Sequence, residues 1–150
     1  MLRKHLDAAA TSRNPTMTKS LEVREYMRKS VSVNQSMSVS EAADVILSHK
    51  LSGVTVVDGD NKLVGMLSEL DCLKAIVNAV YNGGIPGAAL VEDVMTKEVE
   101  VNNPDEDIIS VASSMLDHKH RRRPVVEDGR LVGQVTCRQI LSAIKDFGTT

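Results

Sequence analysis

Short blocks of hydrophobic and polar positions alternate along the chain and predict strands and helices in a fixed order. A β-rich run over 31–33 comes first. Apolar residues between 42 and 47 then recur with the spacing of one helix face, and Ser38 or Ser40 is the candidate N-cap of that helix. The pattern therefore predicts a strand that leads into an amphipathic helix.

A hairpin and a second helix complete the first half of the chain. The strand over 54–57 is separated from a strand over 63–67 by Asp-Gly-Asp-Asn at 58–61, the residue types that a tight turn needs. A helix begins near Ser68 and continues with apolar positions through Val80. The predicted order in this half is therefore β-α-β-β-α.

The second half of the chain repeats the first. The pattern V-x-x-x-M-x-K-x-V-x-V-N occurs at 23–34 and again at 91–102, and Leu-Val-Gly occurs at 63–65 and at 131–133. Chance identity does not produce this many matches in the same order, so the chain is an internal duplication. The same elements are predicted again, with helices over 105–118 and after Thr136 and strands over 122–126 and 131–135.

Each repeat is small for an independent domain. A unit of about 55 residues buries too little of its apolar surface to be stable alone. Two related units whose sheets pack together would supply the missing core. We therefore predict an α+β fold, with two β-α-β-β-α repeats packed sheet to sheet as a pseudo-twofold pair.

The predicted organisation of the chain has four parts. Repeat 1 spans 20–80 and repeat 2 spans 91–147, with a linker at 81–90 that is rich in glycine and proline. Residues 1–19 have little periodicity and contain Pro15, so we expect them to form an N-terminal arm.

Two runs of the sequence resemble CBS domains, which are named after cystathionine β-synthase. Residues 65–71, GMLSELD, fit the G-x-h-(S/T)-x-x-(D/N) signature of that family. Residues 121–136, RRRPVVEDGRLVGQVT, resemble the second half of stand-alone bacterial CBS pairs. The resemblance covers 20–147 and is to a tandem CBS pair, or Bateman module.

The resemblance implies a regulatory module with two clefts between its repeats. Family members commonly bind adenosine compounds there and have no catalytic chemistry in this module. We therefore expect an adenine nucleotide (AMP, ADP or ATP) as the ligand, ahead of S-adenosylmethionine or NAD, with no required cofactor. Many members pair further, which implies a homodimer, and a regulated partner protein of unknown identity would fit the same role.

Ser68 and Asp71 are the candidate ligand-binding residues of the first repeat. A strand gives way to a helix at Ser68, so backbone N–H groups point outward there and form a potential anion site. The Asp71 carboxylate, one turn further, can accept hydrogen bonds from both hydroxyls of a ribose. A structural role explains the same two residues, with Ser68 as the N-cap and Asp71 interacting with the helix dipole.

The equivalent turn of the second repeat contains Thr136 and Gln139. The amide oxygen of Gln139 can accept from one ribose hydroxyl but lacks the charge of Asp71. We therefore expect one tight nucleotide per chain, bound in the cleft of Asp71. Val54 and Thr55, on the strand before the hairpin, complete the expected ligand-binding set.

Arg121 and Arg122 are the candidate phosphate-binding residues. They enter a strand that continues through Pro124, and consecutive strand residues alternate in face. The resemblance to the H-R-x-P-V-V form of adenylate-binding relatives implies that Arg122 faces a ligand phosphate, a role that suits a guanidinium. A solvated charge cluster, or pairing with Glu127 and Asp128, is the alternative.

Composition and charge exclude several classes of protein. The 150 residues carry 18 Lys and Arg against 20 Asp and Glu, a net charge of -2, which argues against a general nucleic-acid or membrane-surface binder. Only Tyr26, Tyr81 and Phe147 are aromatic, too few for a base-stacking platform. No apolar run approaches the length of about 18 residues that a membrane span needs, so we predict no membrane insertion.

The sequence predicts neither a metal site nor a catalytic site. The spacing of His49, His118 and His120 fits no metal-ligand motif, and no nucleophile has a matching base and acid. Two cysteines in a chain of this length favour reduced thiols in the cytoplasm. We interpret the chain as a non-catalytic sensor of an adenine nucleotide; a structural or oligomerising CBS pair without a bound nucleotide is the alternative.

Overall fold

The computed structural model describes residues 21–147, so the predicted N-terminal arm at 1–19 lies outside the described residues. The first half contains a 3-10 turn (Val23–Glu25), β1 (Ser32–Asn34), α1 (Val39–Ser48), β2 (Gly53–Val57), β3 (Leu63–Ser68) and α2 (Glu69–Tyr81). The second half contains α3 (Val91–Val94), α4 (Ile108–His118), β4 (Arg122–Glu127), β5 (Arg130–Thr136) and α5 (Cys137–Ile144). The predicted α+β class with two related repeats is confirmed.

The first repeat forms a three-stranded sheet in the order β1-β2-β3. The strand β1 is parallel to β2, with Val33 opposite Val56. The strand β3 is antiparallel to β2 and forms the expected hairpin, with Val54 opposite Leu67. The hairpin fixes the point at which β3 ends, and therefore the point at which α2 begins.

The second repeat has two regular strands, β4 and β5, and the strand expected before α4 is reduced to a single parallel bridge between Asn102 and Val125. Proline explains the difference. In the first repeat the N–H of Thr55 donates to the carbonyl of Val31. The equivalent of Thr55 is Pro124, which has no N–H to donate, so the corresponding ladder cannot extend.

The chain divides into two compact units, which do not coincide with the two sequence repeats. The first unit contains 30–100 and 128–131; the described part of the second contains 21–29, 101–127 and 132–147. Each unit has its own hydrophobic core.

Each of these cores combines residues of one repeat with a residue from the first turn of the other repeat. In the first unit, Val91 is fully buried in one cluster with Val56 of the first repeat. In the second unit, Val23 is fully buried in one cluster with Val125 of the second repeat. Both cores therefore require residues from both repeats, which agrees with the expectation that one repeat is too small to be stable alone.

Polar side chains set the start of the helices. Ser38, rather than Ser40, is the N-cap of α1 and forms a capping box with Glu41. Asp107 caps α4 by accepting from the N–H of Ser110 at 2.9 Å, so this helix begins at Ile108 instead of at 105. None of the helices in the described part of the chain has the length and hydrophobicity needed to cross a bilayer.

Candidate ligand-binding residues

The Ser68–Asp71 turn lies where β3 ends and α2 begins. Ser68 is the N-cap of α2, and its Oγ accepts from the N–H of Asp71 at 3.1 Å. In return, Oδ2 of Asp71 accepts from the N–H of Ser68 at 2.9 Å. These two contacts form a capping box, so the structural role considered for this pair is present.

The cap leaves hydrogen-bonding capacity on both side chains. Asp71 is half-buried, and in the described part of the chain its Oδ1 receives no hydrogen bond. The Ser68 hydroxyl uses a lone pair in the cap, so its hydrogen can still be donated. The same two residues can therefore cap the helix and bind a ligand at once.

Gly65 of the family signature is required by a close approach of two backbone segments. A Cβ at this position would lie 2.7 Å from the carbonyl oxygen of Thr96 and 2.7 Å from Sδ of Met95. Thr96 is held there by two backbone hydrogen bonds to Met66, each 2.9 Å long. The glycine thus allows residues 95 and 96 to lie against the strand that ends at Ser68.

The Thr136–Gln139 turn has the same geometry and a different chemistry. Oγ1 of Thr136 accepts from the N–H of Gln139 at 3.1 Å, and Oε1 of Gln139 accepts from the N–H of Thr136 at 3.2 Å. This amide oxygen, which the sequence predicts to accept from a ribose hydroxyl, therefore already accepts a hydrogen bond in the cap. The atom left over on Gln139 is the donor Nε2, whereas the atom left over on Asp71 is an acceptor.

A groove of about 380 Å³ lies beside the Thr136–Gln139 turn, within the second unit. It is lined by residues 25–28 and by Arg138, Gln139, Ser142 and Ala143. Sequence analysis missed Arg28, because only the backbone pairing of this residue with β5 brings it to α5. Sequence patterns give no signal for such a non-local contact.

Val54 and Thr55 lie in the interior of the first unit. The side chain of Val54 is 2% exposed and belongs to the hydrophobic core. Thr55 is fully buried, and its Oγ1 lies 2.8 Å from Oγ of Ser30 and 2.7 Å from Oγ of Ser32. It also donates to the carbonyl of Val31 at 3.2 Å. Both side chains have structural partners, and their role in ligand binding stays a prediction.

Three consecutive arginines at the start of β4 have three different environments. Arg121 is exposed, Arg122 is half-buried and Arg123 is buried. Nε of Arg123 donates to Nδ1 of His120 at 3.2 Å. The two arginines predicted to bind a phosphate are therefore the two that reach the surface.

The candidate residues are divided between the two units. Val54, Thr55, Ser68 and Asp71 belong to the first unit, and Arg121, Arg122, Thr136 and Gln139 belong to the second. Hydrogen bonds join Ser68 to Asp71 and Thr136 to Gln139, and these contacts form the two capping boxes. Within residues 21–147, no three His, Cys, Asp or Glu side chains are arranged to hold a metal ion.

Two titratable groups near these turns have raised pKa values. Burial raises the pKa of the Cys72 thiol, and the carboxylate of Asp71 adds to the effect. Burial also raises the pKa of Tyr26 in the groove, with a further contribution from the carboxylate of Glu25. Both groups are therefore neutral at physiological pH.

Known proteins are similar to this chain in fold and in part of its sequence. An uncharacterized protein of Methanocaldococcus jannaschii is 28% identical over 123 residues, which are 81% of this chain and 42% of that protein. A crystal structure of CBSX2 in complex with AMP is 27% identical, with a TM-score of 0.73 over 85% of this chain and 98% of that chain. The CBS domain pair of protein MJ0100, in complex with 5-methylthioadenosine and S-adenosyl-L-methionine, is 28% identical, with a TM-score of 0.66 over 83% of this chain and 95% of that chain.

The family assignment rests on both halves of the chain. This chain spans less than half the length of the M. jannaschii relative. Because that relative is archaeal, the bacterial affiliation suggested by the resemblance stays a prediction. The CBS domain model matches residues 23–78 and again residues 91–146. With both repeats matched in register, the chain belongs to the CBS domain family as a tandem pair.

Proposed function

We propose that this CBS pair is a non-catalytic regulatory module of the cytoplasm that binds an adenine nucleotide of the AMP, ADP or ATP class at the Ser68–Asp71 turn. The observation that carries the proposal is the half-buried carboxylate of Asp71, which caps α2 with Oδ2 and keeps Oδ1 as an acceptor. The crystallised complexes of CBSX2 with AMP and of the MJ0100 pair with 5-methylthioadenosine and S-adenosyl-L-methionine support an adenosine compound as the ligand.

The chemistry of the turn suits the sugar of a nucleotide. A ribose presents two adjacent hydroxyl donors, and a carboxylate oxygen accepts from them with charge-assisted hydrogen bonds that are roughly twice as strong as neutral ones. The cap fixes the Asp71 side chain before the ligand arrives, so little rotamer entropy is lost on binding. A free Ser68 hydroxyl hydrogen adds a donor at the N-terminus of a 13-residue helix.

The Thr136–Gln139 turn does not offer the same recognition. The one side-chain oxygen of Gln139 is neutral and already accepts in the cap, and its other terminal atom is an amide donor, so the turn lacks the charged acceptor that Asp71 offers to two hydroxyls. We therefore expect one tight nucleotide per chain, at Asp71. Binding would act on a regulated partner protein only to the extent that the nucleotide prefers one of two conformations of the pair.

Calorimetry of the full chain with AMP, ADP, ATP, NAD and S-adenosylmethionine tests the proposal. Asp71→Asn retains an oxygen for the cap but replaces Oδ1 with a donor, so we expect at least about tenfold weaker binding. Glu41→Gln is the matched control, because Glu41 caps α1 in the same unit through the same kind of contact, at 3.1 Å. It should leave affinity unchanged.

The outcomes separate the two functions. At a ligand concentration of about 100 times Kd, binding should add roughly 2.7 kcal/mol to the free energy of unfolding. No heat and no thermal shift with any of the five ligands would favour the structural or oligomerising pair. Equal losses in Asp71→Asn and Glu41→Gln would show that only the helix cap matters.

Arg122 is proposed to contribute the phosphate contact. If it does, Arg122→Ala should weaken AMP binding far more than adenosine binding, because only AMP carries the anionic group that a guanidinium pairs with. Arg121→Ala, on the exposed neighbour, is the comparison. Equal effects on AMP and adenosine would remove Arg122 from the phosphate site.

We also propose that a second copy of the chain covers the outer face of α2. Leu70, Leu73 and Val80 are 76%, 58% and 60% exposed, a row of apolar side chains that monomers rarely leave in water. Ile76 of the same helix packs against the core of the first unit instead. A twofold dimer pairs such a face with its own copy.

Light scattering tests the dimer directly. We expect a mass of twice the 16.3 kDa of one chain at micromolar concentration, and a shift to the monomer in Leu73→Glu. Leu116→Glu is the control, since Leu116 is 74% exposed on a different helix. A monomeric wild-type chain would contradict the proposal.

A further inference from the structure

The groove of the second unit differs in charge from its counterpart in the first. Arg28 and Arg138 line the groove together with Glu25, so two positive charges face one negative charge. The sequence repeat gives the equivalent set in the first unit at an offset of 68 residues. There Arg28 is replaced by Thr96, Arg138 by Leu70, Gln139 by Asp71, Ser142 by Lys74 and Glu25 by Asp93. The counterpart therefore carries two negative charges and one positive charge.

The backbone holds the two walls of the groove in place. Arg28 donates to the carbonyl of Gln134 at 2.9 Å and accepts from the N–H of Gln134 at 2.8 Å. A Cβ on Gly133 would lie 2.8 Å from the carbonyl oxygen of Arg28, so this close pairing needs a glycine. Arg138 lies in the first turn of α5, directly before the capping residue Gln139.

The groups that remain available on these walls are mostly donors. Arg28 and Arg138 are both exposed, and the cap leaves Nε2 of Gln139 as a donor. The hydroxyl of Ser142 lies one turn further along the same face of α5 and can also donate. A single guanidinium group can donate to two oxygens of a phosphate at once, which makes this donor set suitable for a phosphate group.

We propose that the groove formed by Arg28, Arg138, Gln139 and Ser142 binds the phosphate group of a small phosphate monoester. Its volume of about 380 Å³ is near the lower end for ligand pockets, so the ligand is no larger than a mononucleotide. The groove has Gln139 in place of Asp71, and because Oε1 of Gln139 accepts from the N–H of Thr136 in the cap, the groove recognises the phosphate and not a ribose. This site is separate from the nucleotide site proposed at Asp71 and does not depend on it.

A titration of the full chain with glycerol 3-phosphate, followed by amide nitrogen–proton NMR spectra, tests the proposal. We expect saturable shifts at Arg28 and over 137–143, with none over 69–75. Inorganic phosphate should give the same pattern, and glycerol should give none. Arg28→Thr and Arg138→Leu, which introduce the residues of the other repeat, should each weaken binding about tenfold, because hydrogen bonds to charged groups are the strong ones.

Two controls make the result specific. Arg138→Lys keeps the charge and should retain part of the affinity. Lys74→Ser removes a positive charge at the equivalent position of the first unit and should change nothing. If Lys74→Ser weakens binding as much as Arg138→Leu, or if no saturable shift occurs at millimolar glycerol 3-phosphate, the proposal is wrong.

The two sites can fail separately. Asp71→Asn should leave the binding of glycerol 3-phosphate unchanged, and Arg138→Leu should leave tight adenine-nucleotide binding unchanged. Phosphate binding that disappears in Asp71→Asn would mean that the anion binds at the Ser68–Asp71 turn. That result would overturn the groove as a separate site.

Discussion

Arg123 donates from Nε to Nδ1 of His120 at 3.2 Å, and its side chain is only 2% exposed. Nη2 of the same guanidinium lies 3.4 Å from Nδ1 of His118. Within the described residues no carboxylate lies in ion-pair distance of Arg123. Because Nδ1 of His118 lies 2.8 Å from the carbonyl oxygen of Ser114 and donates to it, the buried guanidinium donates to His120 alone of the two imidazoles. The desolvation of the guanidinium is not offset by an opposite charge.

This arrangement predicts that Arg123 contributes more by its volume than by its charge. Arg123→Met keeps an unbranched apolar stem and removes the buried charge, so we expect a smaller loss of unfolding free energy than in Arg123→Ala. Arg123→Ala leaves a cavity and should cost roughly 2–5 kcal/mol. Urea denaturation of both variants measures the difference.

The exposed neighbour provides the control for this prediction. Arg121→Met should change the free energy of unfolding by no more than about 0.5 kcal/mol, as is usual for a surface substitution. A loss in Arg123→Met as large as that in Arg123→Ala would show that the hydrogen bond to His120 is essential.

The three consecutive arginines show which structural features can be predicted from the sequence and which cannot. Strand periodicity predicted that consecutive side chains would alternate in face, but it could not predict that Arg123 would be the buried one. That outcome depends on His118 and His120, which come from the end of α4 and the residues after it. Local periodicity contains no information about such partners.

The repeats and the helix caps, in contrast, could be predicted from the sequence. The hairpin, the start of α2 at Ser68 and the duplication follow from residues close together in the sequence. The missing first strand of the second repeat depends on Pro124, whose effect is clear only when it is aligned with Thr55 of the other repeat. The groove beside Gln139 was not predictable, because Arg28 reaches it by pairing with Gln134, more than 100 residues away.

The two serine caps predict equal effects on stability and different effects on ligand binding. Ser38 and Ser68 each accept an N–H at 3.1 Å within a capping box. Replacing either by alanine should cost about 1 kcal/mol of unfolding free energy. Only Ser68→Ala should also weaken nucleotide binding. A nucleotide affinity that falls equally in both variants would assign the loss to the stability of the first unit.

We expect a small change in the side chain of Thr55 to lower the free energy of unfolding substantially. Its buried hydroxyl is surrounded by Ser30, Ser32 and the carbonyl of Val31. Thr55→Val has nearly the same shape but leaves these groups without their partner, so we expect a loss of about 1–3 kcal/mol. Thr55→Ser keeps the hydroxyl and serves as the control, with a smaller loss from the missing methyl group.

Nucleotide binding to the same two variants then tests the predicted ligand role of Thr55. If its hydroxyl is structural only, calorimetry of Thr55→Val should give unchanged affinity at a temperature where the variant is folded. A selective loss of affinity in Thr55→Val, with Thr55→Ser unaffected, would instead place the hydroxyl at the ligand.

The two free cysteines predict very different reactivity. Cys137 is exposed, whereas Cys72 is 5% exposed and its pKa is raised by burial and by the neighbouring carboxylate of Asp71. Because the thiolate is the reactive form, Cys137 should be alkylated rapidly by iodoacetamide and Cys72 only when the first unit opens. Mass spectrometry of tryptic peptides over time distinguishes the two sites, and Cys137→Ser should remove the fast phase completely.

The raised pKa of Cys72 also sets the sign of a pH effect on stability. The thiol loses its proton more easily in the unfolded chain than in the folded one, so its contribution is fully present below the unfolded pKa and is lost as the pH rises through the range above it. The free energy of unfolding should therefore fall more steeply at alkaline pH in the wild type than in Cys72→Ala. Asp71→Asn removes the second cause of the shift and should make the fall less steep. Identical alkaline slopes in the wild type and in Cys72→Ala would show that burial does not hold this thiol in its protonated form.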